Sequence, residues 1–278
     1  MEGFRRILSN KGSALGLFLL VFLLFLVVFG PLIAPHSPYK QSLRNSLQPP
    51  SSKYWLGTDE VGRDIFSRII YGSRISLGIS AGGVTFGGLA GLILGVIAGI
   101  YEGKLGGLIM RLMDVLYSFP SIILAIILMS LVGQGAVMVA LTVGIYTIPI
   151  IGRTARGQVL TVKNKEYVEA AVASGSATYG IVRRHILGNI MLPILVLATL
   201  RLGTALLIAS SLGFLGLGVQ PPAPEWGAML SRGRDFLWLA PHVTTFPGLA
   251  IAISVLSFNL IGDGVRDVVD PKTRYQTQ

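Results

Sequence analysis

Residues 75–100 read ISLGISAGGVTFGGLAGLILGVIAGI and contain no charged side chain. A bilayer core of about 30 Å needs about 20 helical residues, so this run is long enough to cross a membrane. Its glycines at 83, 87, 91, 95 and 99 repeat every four residues and therefore share one face of a helix. Small residues on one face let a second helix approach closely. The run predicts a membrane span that packs tightly against another helix.

Further apolar runs on both sides extend this pattern to a bundle. The charge-free stretch 115–152 would form a helix of about 57 Å, too long for one crossing, and Gly133-Gln134-Gly135 is a natural turn within it. The sequence predicts an all-α, polytopic membrane helix bundle with six transmembrane helices. Besides Ile75–Ile100, the spans are Ala14–Ala34, Val115–Val132, Ala136–Gly152, Ile190–Leu212 and Val243–Gly262.

Composition supports the membrane assignment and narrows the chemistry. The chain is 52% hydrophobic and 13% charged, whereas soluble proteins carry roughly 25% charged residues. It has no cysteine, which removes disulfides, thiolate nucleophiles and Cys-ligated metals, and its three histidines are too far apart in sequence for a standard metal motif. The net charge of +10 is expected to collect in cytoplasmic loops rather than to bind nucleic acid.

The distribution of basic residues predicts that both termini are cytoplasmic. In that orientation, inner segments hold 14 of the 23 Lys and Arg residues and outer segments hold eight, as the positive-inside rule requires. A cleaved signal peptide is the alternative for the first run. Its 21 apolar residues exceed the roughly 7 to 15 of a signal peptide's hydrophobic region.

The connection between the fourth and fifth spans is unusually long. Within residues 153–185, the sequence KEYVEAAVASG at 165–175 consists of good helix formers up to Gly175, a typical residue to end a helix. The pattern predicts two short helices joined at this glycine and lying across the membrane surface. An amphipathic interfacial helix without a partner is the alternative reading of the same residues.

This connection resembles the EAA loop of permease subunits in binding-protein-dependent ABC importers. The resemblance rests on Glu169, Ala170 and Ala171, on Gly175 four residues beyond Ala171, and on the His185-Ile186-Leu187 ending. It implies that Glu169, Ala170, Ala171 and Gly175 form a coupling helix that docks in a cleft of a cytoplasmic ATPase. The chain departs from the family at Gly188, where a proline is usual.

Three further segments are similar to the peptide and nickel subfamily of these importers, in the same order along the chain. They are Leu56–Arg68, Leu212–Pro222 with Glu225-Trp226-Gly227, and the C-terminal Phe258–Asp263 with Asp270-Pro271. The resemblance implies an N-terminal transmembrane helix and extracytoplasmic loop over 1–74. A five-helix permease core with an EAA-type coupling loop at 153–188 would fill 75–278.

Two places outside the loop are candidates for the translocation pathway or the permease interface. The stretch 213–224 is apolar but interrupted by Gly213, Gly216, Gly218 and three prolines, so it cannot form a regular spanning helix. Irregular backbone at this depth is tolerated only against protein or a water-filled cavity, so it is expected to line or cap the outer mouth. Arg201 is the one charge deep in a predicted span and should face protein or water.

The acidic and basic residues of the first outer loop have two readings. Asp59, Glu60, Arg63 and Asp64 can pair with one another to cross-link the loop, or they can contact a binding protein or the second permease. The pairing is expected on chemical grounds because opposite charges lie three and four residues apart.

The resemblance implies a non-catalytic permease subunit of an ABC importer that carries di- or oligopeptides. Its expected partners are a homologous second permease, two ATPase subunits, an extracytoplasmic solute-binding protein and membrane lipid. The chain lacks a phosphate-binding loop, so it cannot hydrolyse ATP alone. No cofactor is expected in this chain, and ATP and magnesium would be bound by the ATPases. A multi-pass location in a bacterial or archaeal plasma membrane follows. The alternatives are nickel or metal-chelate uptake in the same role, or a stand-alone secondary transporter.

Overall fold

The computed structural model describes residues 10–269, and within them the fold is helical with only an isolated bridge between Thr58 and Asp64. The all-α prediction is therefore confirmed. The helices are α1 (Lys11–Ile33), α2 (Ile65–Ile100), α3 (Lys104–Ser118), α4 (Ser121–Val132), α5 (Ala136–Lys163), α6 (Glu166–Ala173), α7 (Thr178–Phe214), α8 (Trp226–Gly233) and α9 (His242–Val269). A π-helical segment, Val182–Ile186, lies within α7.

Five of these helices, α1, α2, α5, α7 and α9, are long and apolar enough to cross a membrane. The predicted third span, Val115–Val132, is instead broken: α3 and α4 meet at an angle of 100°. Pro120 causes the break, because it has no amide N–H and holds the preceding Phe119 in an extended conformation (φ −83°, ψ 137°). The 12 residues of α4 reach only about 18 Å. The bent pair makes a sixth crossing only if both helices are counted together.

The other spans are longer than the charge-free runs suggest. α2 begins at Ile65, ten residues before the predicted Ile75, because Asp64 caps its first turn by accepting a hydrogen bond from the Ser67 amide (2.9 Å). Arg68 lies inside this added helical segment and is 2% exposed, so its charge does not stop the helix. The predicted start of the fourth span, Ala136, is the start of α5.

The centre of the bundle is the contact between α2 and α5, which is its most extensive helix pairing. The predicted glycine face of α2 makes this contact: a Cβ atom built at Gly91 would lie 2.7 Å from the Ile148 carbonyl oxygen, and one at Gly99 would lie 2.7 Å from Val159 Cβ. The absence of side chains therefore sets the distance between the two backbones. α7 packs on both helices, and α9 joins α7 to α1.

The chain direction gives the bundle two distinct ends. We call the end that carries residues 34–64 and 215–241 the long-loop end, and the opposite end, which carries α6, the α6 end. At the long-loop end, the predicted internal pairing is observed: Arg63 Nε lies 2.6 Å from Asp59 Oδ2, and its NH2 lies 3.1 Å from Glu60 Oε1. Asp59, Arg63 and Asp64 are buried, so this cluster fixes the loop from within.

Candidate functional site

Helix α6 is attached to the bundle by one side only. Val168 is 1% exposed and packs in an apolar cluster with Val159, Val162, Ile181 and Ile186, which belong to α5 and α7. Ala171, one turn further on, is half-buried against the same cluster. The anchoring residue Val168 was not singled out from the sequence, although its spacing of three from Ala171 is the periodicity of a helix face.

The remaining surface of α6 is exposed. Glu169 and Ala170 are exposed, and so are the apolar side chains Tyr167 (42%) and Val172 (59%). The Tyr167 ring also lies 5.8 Å from the His185 ring of α7. Glu169 and Glu166 lie in the first turn, where carboxylates are favoured by the positive end of the helix dipole. The outer surface thus combines small side chains, negative charge and apolar area.

Gly175 ends α6 as the sequence predicts. Its φ of +77° is in the left-handed region that favours glycine. Its amide donates to the Val172 carbonyl (2.9 Å) and the Ser176 amide donates to the Ala171 carbonyl (3.1 Å). These two bonds form a Schellman motif, which fixes the turn from α6 into α7.

Two concave surfaces flank α6. One, of about 580 Å³, lies between α6 and the ends of α2 and α5 and includes Tyr101, Lys163 and Glu169. The other, of about 660 Å³, is lined by the start of α7 and includes Tyr179, Arg183, Arg184 and His185. Tyr179 is 73% exposed. Neither surface was predicted from the sequence.

The second short helix of the loop is not separate from the membrane span. α7 runs from Thr178 to Phe214 as one helix of 37 residues, and Gly188 lies inside it with space around its Cα. The irregularity that precedes the span is the π-helical segment Val182–Ile186. Pro193 is accommodated within the helix.

The glycines at the other end of α7 have structural roles. Gly216 (φ +77°) donates to the Gly213 carbonyl (3.0 Å) and Leu217 donates to Leu212 (2.9 Å), which is a second Schellman motif. Gly213 and Gly218 are buried against each other: a Cβ at Gly218 would lie 2.6 Å from the Gly213 Cα. Of the three, only Gly216 is exposed at the surface.

Glu225, a buried carboxylate beside Gly213, belongs to one of the segments that resemble the importer subfamily. It is 2% exposed and accepts hydrogen bonds from the amides of Gly227 (2.8 Å) and Ala228 (2.7 Å) and from the Ser76 hydroxyl (3.3 Å). Burial raises the pKa of this carboxyl above its ordinary value, and the hydrogen bonds oppose the rise. Glu225 thereby caps α8 and joins it to α2.

Arg201 lies at mid-length in α7, half-buried, and its Nε has no hydrogen-bond partner. The predicted coupling-loop residues Glu169–Gly175 lie at the α6 end, and Gly213, Gly216 and Gly218 lie beyond Arg201 toward the long-loop end. Among residues 10–269, no group of three or more metal-ligating His, Asp or Glu side chains occurs.

Apolar helices long enough to cross a membrane, packed around a glycine-lined pair and with a small helix presented at one end, define a polytopic membrane helix bundle. Residues 91–275 match the family described as binding-protein-dependent transport system inner membrane component, and residues 2–50 match the N-terminal transmembrane domain of oligopeptide transport permease C. The chain belongs to the family of binding-protein-dependent inner membrane transport components, which confirms the resemblance drawn from its motifs.

Curated relatives resemble the chain over nearly its full length. It is 43% identical to the dipeptide transport system permease protein DppC of Alkalihalophilus pseudofirmus, covering 98% of this chain and 90% of the relative. It is 44% identical to the glutathione transport system permease protein GsiD of Pectobacterium atrosepticum, covering 98% and 91%. Among solved structures, an inward-facing MetNI methionine ABC transporter has the same fold (TM-score 0.59, 23% identity, 73% of this chain and 96% of that chain).

Proposed function

We propose that this chain is one of two homologous permeases that together enclose a translocation pathway for di- or oligopeptides. The relatives named for dipeptide and glutathione transport support peptide cargo and do not favour the nickel alternative. Residues 1–74 would supply a peripheral helix and an outer loop, and residues 75–278 the permease core.

The proposal assigns coupling to α6. The observation that carries it is a helix held by Val168 on one side while Glu169 and Ala170 stand exposed on the other. Small side chains let another backbone approach, and a carboxylate can pair with a basic residue of that partner. Two ATPase subunits would bind this surface, one on each permease, and would hold the ATP and magnesium.

The cycle follows from linking α6 to the bundle through Gly175. ATP binding would close the ATPases, draw the two α6 helices together and turn the pathway from inward-facing to outward-facing, and hydrolysis would reset it. A solute-binding protein would deliver cargo at the long-loop end. The permease contributes a bistable helix bundle and no covalent step.

This role requires the α6 end to be cytoplasmic, together with both termini, in a bacterial or archaeal plasma membrane. The positive-inside count supports this orientation. Arg201, Gly213, Gly216 and Gly218 would lie along the pathway or the interface with the second permease. The buried packing of Gly213 and Gly218 favours a supporting role for these two.

The absence of cysteine from the chain allows a direct test with single thiols. Ala170→Cys places a thiol on the exposed face of α6, and Ser51→Cys places one in the exposed part of the long-loop end. A membrane-impermeant maleimide added to intact cells is expected to label Ser51→Cys and to spare Ala170→Cys.

The same variants test docking. In the purified complex, a short bifunctional cross-linker should join Ala170→Cys, and not Ser51→Cys, to an ATPase subunit. Labelling of Ala170→Cys from outside the cell, or cross-linking of neither variant to an ATPase in an active complex, would contradict the proposal.

A further inference from the structure

Arg201 carries a charge at mid-span that the described chain does not neutralise. It forms no ion pair with any carboxylate of residues 10–269, and its buried Nε–H has no acceptor there. A guanidinium at this depth is expensive unless it is paired or hydrated. The partner must therefore come from water or from another molecule.

The position of Arg201 excludes a place on the lipid-facing side of α7. Its spacing of seven from Ile194, four from Ala205 and eleven from Leu212 puts it on the same helix face as these three buried residues. Ala205 and Leu212 pack in a cluster with α2 and α5, and Ile194 packs in a second cluster with α5. Arg201 lies between the two clusters, on the inward face.

No acidic side chain is available on the elements that surround this face. α2, α4, α5 and α7 contain no Asp or Glu anywhere along their lengths. α9, which also packs on α7, has its carboxylates Asp263 and Asp267 in its last two turns, and neither forms an ion pair with Arg201. Arg153 of α5, by contrast, pairs with Asp114 of α3, and Arg74 of α2 donates to the Val27 and Val28 carbonyls of α1. Among residues 10–269, Arg201 has neither kind of partner.

We propose that Arg201 binds a carboxylate supplied from outside this chain. A planar guanidinium matches a carboxylate with two parallel N–H···O bonds, and the apolar surroundings strengthen that pair. This proposal rests on the proposed function, under which the carboxylate has two possible sources. It is the C-terminal carboxylate of a peptide in the pathway or an Asp or Glu side chain of the second permease.

The experiment uses the whole complex in lipid nanodiscs with its loaded solute-binding protein. Peptide-stimulated ATPase activity is measured with a dipeptide that stimulates the wild type and with the C-terminal amide of the same dipeptide, for wild type, Arg201→Met and Arg201→Lys. For each variant, the acid-to-amide ratio is the ATPase stimulation by the free dipeptide divided by the stimulation by its amide. The binding protein is the same throughout, so its own preference for the free acid cancels when a variant's ratio is compared with that of the wild type.

If the carboxylate belongs to the cargo, Arg201→Met should reduce the acid-to-amide ratio by about tenfold or more, as expected for loss of a charge-assisted hydrogen bond. Arg201→Lys should reduce the ratio less. A carboxylate of the second permease predicts that Arg201→Met reduces co-purification of that permease by a similar factor while the ratio is unchanged, again with partial rescue by Arg201→Lys.

An unchanged ratio together with unchanged co-purification in both variants would overturn the carboxylate site. That result leaves a working transporter, so it differs from failure of the proposed function, in which the wild-type complex itself shows no peptide-stimulated activity. If Arg201→Met does not accumulate, Arg201→Lys is the test, because it keeps the charge but cannot form two parallel N–H···O bonds. In that case an unchanged ratio together with unchanged co-purification in Arg201→Lys would overturn the carboxylate site.

Discussion

Gly175 is the single residue on which the geometry of α6 depends most directly. Its left-handed backbone (φ +77°) costs an L-residue with a Cβ roughly 1–2 kcal/mol. Gly175→Ala is therefore expected to disorder the turn and to lower stimulation of ATPase activity by the loaded binding protein severalfold. Gly180→Ala is the matched control, because Gly180 is helical and a Cβ there meets nothing within 4 Å. Equal stimulation in the two variants would contradict this role.

Glu225 predicts a pH dependence of stability. Because the folded state raises its pKa, the folded protein keeps a proton that the unfolded chain releases, so this group makes stability fall as pH rises above the ordinary carboxyl value of 4.5. Glu225→Gln should flatten that fall in thermal unfolding curves recorded between about pH 5 and pH 8.

Glu102 provides the control of opposite sign. A hydrogen bond from Lys163 lowers the pKa of this exposed carboxyl, so its contribution to stability is present above the ordinary pKa and lost as pH falls through the lowered value. Glu102→Gln should leave the pH 5–8 slope intact. A slope that survives Glu225→Gln would show that other groups set it.

At the scale of elements, the α2–α5 contact should tolerate no added volume on the glycine face. A Cβ at Gly91 would lie 2.7 Å from the Ile148 carbonyl oxygen and 3.0 Å from Ile151 Cβ. Gly91→Ala is expected to destabilise the bundle by about 1–3 kcal/mol through overpacking. Gly88→Ala, in the same helix and facing open space, should leave the thermal midpoint in detergent unchanged. Equal midpoints for the two variants would refute the close-packing interpretation.

Element positions were largely predictable because length and apolarity are local properties. The start of α5 at Ala136 follows from the preceding Gly-Gln-Gly turn. The start of α2 at Ile65 was missed because its first turns contain Arg68, whose charge is satisfied only by groups distant in sequence: its NH1 donates to the Pro38 (2.8 Å) and Pro222 (3.3 Å) carbonyls. The break at Pro120 was visible in the sequence only as a proline beside a span.

The candidate site also has features that local sequence predicts and features that depend on contacts between helices. The end of α6 at Gly175 could be predicted because a Schellman turn is encoded by one residue. The anchoring by Val168 could not be located, since its partners Ile181 and Ile186 come from a different helix. The glycines of 213–224 predicted an irregular segment, but glycine content alone does not show that Gly218 folds back onto Gly213.

For the whole molecule, Arg68 joins the two long connections of the long-loop end through Pro38 and Pro222 and lies 3.5 Å from Asp59. Asp59 keeps Arg63 as its closer partner at 2.6 Å, so Arg68→Met chiefly removes the hydrogen bonds to the two carbonyls. It should cost about 1–3 kcal/mol, as expected for leaving buried acceptors unpaired. Faster cleavage of residues 34–64 in limited proteolysis is the measurement.

The control for this prediction is Arg234→Met. Arg234 pairs with Asp235 at the surface, where the side chains are 62% and 70% exposed, and such pairs contribute about 0–1 kcal/mol. Cleavage at the wild-type rate in Arg68→Met would mean that the two connections are held independently.

α7 has no loop between the two faces of the bundle. Its 37 residues extend about 56 Å, from the turn at Gly175 to the glycine stop at Gly216. The helix has two places where it can bend, the π-helical segment Val182–Ile186 and Pro193. Both lie in the half nearer α6, so residues 194–214 are expected to tilt or rotate as one body at the long-loop end.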